Sequence, residues 1–113
     1  MTDCLFCRIT AGEIPAEKVH ETPTTLAFRD VNPQAPVHVL VIPKDHHADA
    51  AAVADADPSL LADVLSAAVA VARAEGLDDG YRIVANTGRD GGQTVHHLHL
   101  HVLGGRGLSW PPC

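Results

Sequence analysis

Polar and apolar residues alternate most strictly in His97-Leu98-His99-Leu100-His101-Val102. On a strand, residues two apart share a face. The pattern predicts a strand over 96–103, with Leu98, Leu100 and Val102 turned into a core. Three imidazoles then line the other face, roughly 7 Å apart by strand rise. His96 breaks the phase and falls at the strand's start or on its apolar side. Residues 37–43 (VHVLVIP) are a β-branched run that reads as a central strand. Residues 18–21 and 24–30 read as two strands around the turn Thr22-Pro23, and 81–87 as another. The clearest helix spans 60–75, with Asp57 to cap it, Pro58 in its first turn and Gly76 at its end. Only Asp63, Ser66, Arg73 and Glu75 in it are polar. A short helix fits 4–11, ended by Gly12 and barred from continuing by Pro15. The stretch 48–56 is Ala-rich and is assigned no element. Two prolines make 31–36 a loop, and 88–92 is a tight Gly-rich loop. Hairpin-linked strands with one long and one short helix predict an α+β fold on an antiparallel sheet of about five strands.

Composition narrows the partners. The 113 residues predict a single domain over 1–113, and 46% hydrophobic residues with 19% charged ones permit a real core. Aromatics are only 4%, so Leu, Val, Ile and Ala do the packing. Lys+Arg is 8 against Asp+Glu 14, a net charge of −6 with neutral His. That argues against duplex nucleic acid, which needs a basic stripe. A small phosphorylated ligand held by backbone N–H groups is still compatible. No apolar run is long enough to span a membrane, and the first residues lack a leader pattern, so the expected location is the cytoplasm.

Of 8 histidines, four fall between His96 and His101. Three on one strand face, after a Gly-rich loop, are hard to explain as ordinary surface residues. A metal trio is one reading, although adjacent positions on one strand diverge. A reactive imidazole on a phosphate is the other. Neutral imidazole is nucleophilic near pH 7, can attack phosphorus, and can be oriented by its second ring nitrogen donating to a backbone carbonyl. Flanking imidazoles can stabilise the non-bridging oxygens. There is no P-loop lysine and no Gly-x-Gly-x-x-Gly.

These residues resemble the histidine-triad family, whose pattern is His-φ-His-φ-His-φ-φ. The likeness extends to Leu26-Ala-Phe-Arg-Asp30, Pro33-Gln-Ala-Pro36, Val41-Ile-Pro-Lys44, Tyr81-Arg-Ile-Val84, Asn86, Gly91-Gly-Gln93, Gly104-Gly-Arg106 and Trp110-Pro-Pro112. Together they look like the Hint branch, the histidine-triad nucleotide-binding proteins, which are purine nucleoside phosphoramidases. The resemblance implies that His99 is the nucleophile and forms a nucleotidyl-histidine. It implies that Asp30 accepts both ribose hydroxyls, and that Phe28, Ile14 and Val31 wall a purine pocket. Asn86, Gly92, Thr94, His99 and His101 match the phosphate-contacting set. Thr94 stands where Ser is usual and keeps the hydroxyl; His96 stands where Tyr is common. His38 matches a further family histidine near the triad. Thr94 and His101 are the candidates for protonating the leaving amine, and no catalytic metal is required. Two rivals stay open: a dinucleoside polyphosphate hydrolase, against which the Trp-Pro-Pro tail speaks, and a regulatory or scaffold nucleotide binder with incidental turnover.

Cys4-x-x-Cys7 reads as a redox pair, as buried small residues, or as half of a zinc site; the βαβ setting of a redox pair is missing. Similar bacterial histidine-triad proteins imply zinc held by such a pair with the first triad histidine, His97, and with His46; the adjacent His47 is the alternative to His46. That zinc would be structural. Cys113 is read as an exposed spectator. The outer face of helix 60–75, with Ala62, Val69, Ala70 and Ala74, predicts a homodimer, with Leu61, Val64, Leu65, Ala68, Val71 and Ala72 serving the chain's own core.

Overall fold

The computed structural model describes residues 3–112, so Cys113 lies outside the described residues. The elements run α1 (Leu5–Thr10), β1 (Lys18–Glu21), β2 (Thr25–Arg29), β3 (Val37–Pro43), α2 (Ala50–Ala56), α3 (Pro58–Ala74), β4 (Tyr81–Val84) and β5 (Leu100–Gly104). The five strands form one antiparallel sheet in the order β1-β2-β3-β5-β4, an α+β architecture.

Alternation divides the sheet into two faces. Ala27, Val39, Val41, Leu100 and Val102 pack on one side against α2 and α3, through Val53, Leu60, Val64, Ala68 and Val71. Leu26, Phe28, Leu40 and Ile42 pack on the other side against Phe6 and Ile9 of α1. The register sets Phe28 opposite Leu40 and Leu40 opposite His101. Asp30, His38 and His101 therefore share the α1 face of the sheet.

Two expectations change. The bonded strand starts at Leu100, so His97 and His99 precede it. Leu98 instead donates its N–H to the His47 carbonyl at 2.7 Å. Alternation persists across the gap because Leu98 is buried in the helix-side core while His97 and His99 pack against Phe6 on the other face. The out-of-phase His96 is exposed and lies outside the strand. The Ala-rich stretch, to which the pattern assigns no element, holds α2, so among the described residues two short helices accompany the long one. Asp49 caps α2 by accepting from Ala52 N–H at 2.9 Å. Asp57 closes α2 through its N–H to Val53 O and opens α3 by accepting from Leu60 N–H. β4 ends at Val84, three residues short of the pattern, and β2 starts at Thr25.

Candidate active site

β2, β3 and β5 bring Phe28, Asp30, Leu40 and His101 to the α1 face, and α1 closes over them. Between lies a cavity of about 360 Å³. Its wall combines apolar side chains (Leu5, Phe6, Ile9, Ile14, Phe28, Leu40) with Asp30, Thr94, His99 and His101. The lining is thus largely apolar and carries a carboxylate, a hydroxyl and two imidazoles. Val31 also lines it but is 100% exposed, so it forms the rim rather than a buried wall.

Backbone groups fix the protons on the imidazoles. A carbonyl oxygen can only accept, so His99 Nδ1 donates to the His97 carbonyl at 2.9 Å. The neutral ring then carries its lone pair on Nε2. His38 is set the opposite way. Its Nδ1 accepts from the Gln34 N–H at 3.0 Å, so its proton lies on Nε2. That Nε2–H meets His101 Nδ1 at 2.8 Å, with Asp30 Oδ2 at 3.4 Å. His101 therefore accepts at Nδ1 and keeps an Nε2–H donor. Burial, then the neighbouring His99 and His38, push the His101 pKa down to about 4 against the pull of Asp30. Burial also lowers that of His38, again against Asp30. The Asp30 carboxylate is steadied by the Asn32 N–H on Oδ1 at 2.8 Å.

The glycine-rich loop is tied to the segment before α2 and to Val95 by buried Gln93. Its amide nitrogen donates to Ala48 O at 2.7 Å and Val95 O at 3.0 Å, and its oxygen accepts from Gly88 N–H at 3.0 Å. At Gly91, a Cβ would lie 2.4 Å from the Thr87 carbonyl, so only glycine fits. Asn86 donates to Gly91 O at 2.7 Å and stands beside Gly92, whose φ is +79°. Asn86 and Gly92 are thus brought together at this loop, but neither lines the cavity wall.

Behind the cavity is a second cluster. Cys4 Sγ lies 3.2 Å and Cys7 Sγ 3.5 Å from His97 Nδ1, and Cys7 Sγ lies 3.4 Å from His46 Nδ1. The four candidate ligand atoms fall within 4.8 Å of one another. His97 is fully buried and its Nε2–H donates to Pro43 O at 2.9 Å, which leaves the Nδ1 lone pair facing the sulfurs. Two thiols and two imidazoles form a soft, four-ligand set, and the carbonyl behind His97 is the outer support that a ligating imidazole needs. This group can hold a metal ion. His47 is not part of it; its carbonyl holds Leu98 instead.

The HIT domain pattern matches residues 11–108. The chain belongs to the HIT domain family. An uncharacterized HIT-like protein of Synechococcus elongatus is 54% identical over 97% of this chain and 96% of its own length. A HIT family hydrolase from Legionella pneumophila has the same fold with a TM-score of 0.94 and 54% identity, covering 98% of this chain and all of that one. A histidine triad nucleotide-binding protein from Candida albicans follows at a TM-score of 0.82 and 36% identity, over 96% of this chain and 83% of that one.

Within this HIT fold the pattern of the sequence missed three features. Leu5, Phe6 and Ile9 supply much of the cavity wall; their signal was the i, i+3 pairing of Phe6 with Ile9 in the short helix. Gln93 is a three-bond hub between loops. His38 sets the tautomer of His101, through a loop N–H that no residue pattern displays. Among the described residues no helix is long and apolar enough to cross a membrane.

Proposed function

We propose that this HIT protein is a purine nucleoside phosphoramidase of the Hint type, working through a nucleotidyl-His99. The carrying observation is His99 on the wall of a largely apolar cavity that Asp30 also lines, its Nδ1–H held by the His97 carbonyl. The purine stacks among Phe28, Ile14, Val31, Phe6 and Ile9. The ribose hydroxyls donate to Asp30, and the phosphate meets His99, His101, Thr94 and the Asn86–Gly92 loop. His99 Nε2 attacks the α-phosphorus; the N–P bond to the enzyme forms as the P–N bond to the amine breaks. Thr94 hydroxyl and His101 Nε2–H, which line the same cavity as His99, are the groups assigned to protonate the departing amine and to steady the non-bridging oxygens. Water then cleaves the N–P bond and releases the nucleoside monophosphate. The likeness to the Legionella HIT family hydrolase and to the Candida nucleotide-binding protein supports hydrolysis and nucleotide binding respectively.

The test compares kcat/KM on an adenosine 5′-phosphoramidate and on a diadenosine polyphosphate. The phosphoramidate should be preferred; a higher value on the polyphosphate would assign the other hydrolase branch. Turnover of both near the rate of free imidazole would favour the regulatory binder.

The sulfur–imidazole cluster is proposed as a zinc site formed by Cys4, Cys7, His46 and His97. These residues would hold zinc as a structural ion: it would supply no step of the reaction and would tie α1 to the loop after β3 and to His97. A homodimer is proposed as well, with one correction to its surface. Leu65 does not serve the chain's own core but is 48% exposed on α3, where with Ala62, Val69, Ser66 and Arg73 it lines a shallow groove. An exposed leucine in a small-residue apolar face strengthens the reading of an interface. Sedimentation at micromolar concentration should give twice the chain mass; a monomer mass would remove the claim.

A further inference from the structure

α1 is six residues long, and its side chains serve two sites. Cys4, its cap, and Cys7, in its first turn, reach the sulfur–imidazole cluster. Leu5, Phe6 and Ile9 line the cavity. Phe6 touches both. It is 4% exposed, and its ring stands edge-on to His97 at 5.9 Å, to His99 at 5.1 Å and to Phe28 at 5.5 Å between centroids. Among the described residues, the side-chain hydrogen bonds that join α1 to the rest of the fold run from Cys4 and Cys7. A helix this short has little stability of its own, so its docking depends on those ties and on the burial of Phe6 and Ile9. A second link runs beside it: His97 offers Nδ1 to the cluster and its carbonyl to His99 Nδ1.

We propose that α1 couples the cluster to the cavity, with Phe6 as the positioning residue, so that zinc and nucleotide bind with positive cooperativity. This rests on the reading of the cavity as a nucleotide pocket. The physical basis is shared ordering. Whichever ligand arrives first fixes α1 and sets Phe6 against His99 and Phe28, and the second ligand then meets an ordered site. Coupling in binding is reciprocal, so zinc must tighten AMP by the same factor as AMP tightens zinc.

The experiment uses the full chain in zinc-loaded and chelator-stripped forms. AMP affinity is measured by calorimetry, and zinc affinity by competition with a chromophoric chelator with and without saturating AMP. AMP should bind about 5- to 150-fold more tightly to the loaded form, the usual range of such couplings, and the zinc shift should match. Phe6→Leu should keep its zinc while the coupling factor falls towards one. A second measurement needs only folded, zinc-loaded protein: the rate of zinc loss to excess chelator. Saturating AMP should slow it in the wild type and not in Phe6→Leu. Equal AMP affinity in both folded forms, or equal slowing in wild type and Phe6→Leu, would overturn the coupling and leave the nucleotide reading standing. Failure of AMP to bind either form would overturn both.

Discussion

Two clusters in this protein look alike in the convergence of possible ligand atoms around a pair of imidazoles. Cys4, Cys7, His46 and His97 converge within 4.8 Å, and so do Asp30, His38 and His101. They differ in what stands behind the imidazole. Behind His97 is an acceptor, the Pro43 carbonyl, which draws the ring proton outward and leaves a lone pair facing the thiols. Behind His38 is a donor, the Gln34 N–H, which takes up the outer lone pair and leaves a proton facing His101 and Asp30. The first arrangement suits a cation; the second has an N–H where a cation needs a lone pair. Proximity of ligand atoms therefore does not define a metal site: the backbone group on the far side of the ring does.

His99 sits between the clusters, with Nδ1 held by the carbonyl of His97 and its ring 5.0 Å from that of His101. The largest effect follows from removing it. His99→Ala should lower kcat by on the order of a thousandfold or more, while AMP still binds through Asp30 and the apolar wall. Trapping on a slow-leaving substrate should give an adduct on His99. Its appearance on His101, or brisk turnover by His99→Ala, would move the nucleophile into the hydrogen-bonded cluster.

Metal content tests the comparison itself. Cys7→Ser should drop zinc below about a tenth of an equivalent, because a thiolate ligand is lost. His38→Ala should leave zinc at one equivalent. It frees His101 Nδ1 from its donor, however, so His101 no longer has one fixed tautomer. We expect kcat to fall about tenfold to a hundredfold, less than the ~10²–10³-fold cost of deleting a charge-stabilising donor outright. Zinc that follows His38 rather than Cys7 would invert the assignment of the two clusters.

Much of this was legible in the chain. The alternation from His97 to Val102 revealed two faces, and the hairpin spacing gave the antiparallel sheet. It did not reveal where the hydrogen-bonded strand begins, because alternation reports burial on two sides rather than ladder bonding; Leu98 is buried, yet its N–H goes to His47. α2 escapes the pattern because an Ala-rich segment with a single large apolar residue, Val53, has no amphipathic period, although Asp49 is a visible cap and Val53 is fully buried. Cys4 and Cys7 were conspicuous, but His46 and His97 lie 39 to 93 residues away along the chain, and only family likeness connected them. The tautomers of His38 and His99 depend on loop and backbone groups that residue types do not encode.

The smallest expected effect is in the pH dependence of stability, and it separates the clusters by their protons. The folded pKa of His101 lies at about 4, and that of His38 is lowered too, both against an ordinary value of 6.5. Between those limits the unfolded chain binds more protons than the folded one. Stability therefore rises with pH in that window: it is complete above about pH 6.5 and is lost as the pH falls towards 4. Zinc-loaded protein adds a second acid-sensitive contribution, since protons compete for thiolates and imidazoles. The His101→Asn variant, studied with zinc bound, removes one titrating group and leaves the metal cluster intact. Its melting temperature should fall less steeply between pH 6.5 and 4.5 than that of the wild type, by a difference no larger than one proton allows. Parallel curves would mean that His101 takes up its proton in the folded protein as readily as in the unfolded one, and its depressed pKa would have to be withdrawn.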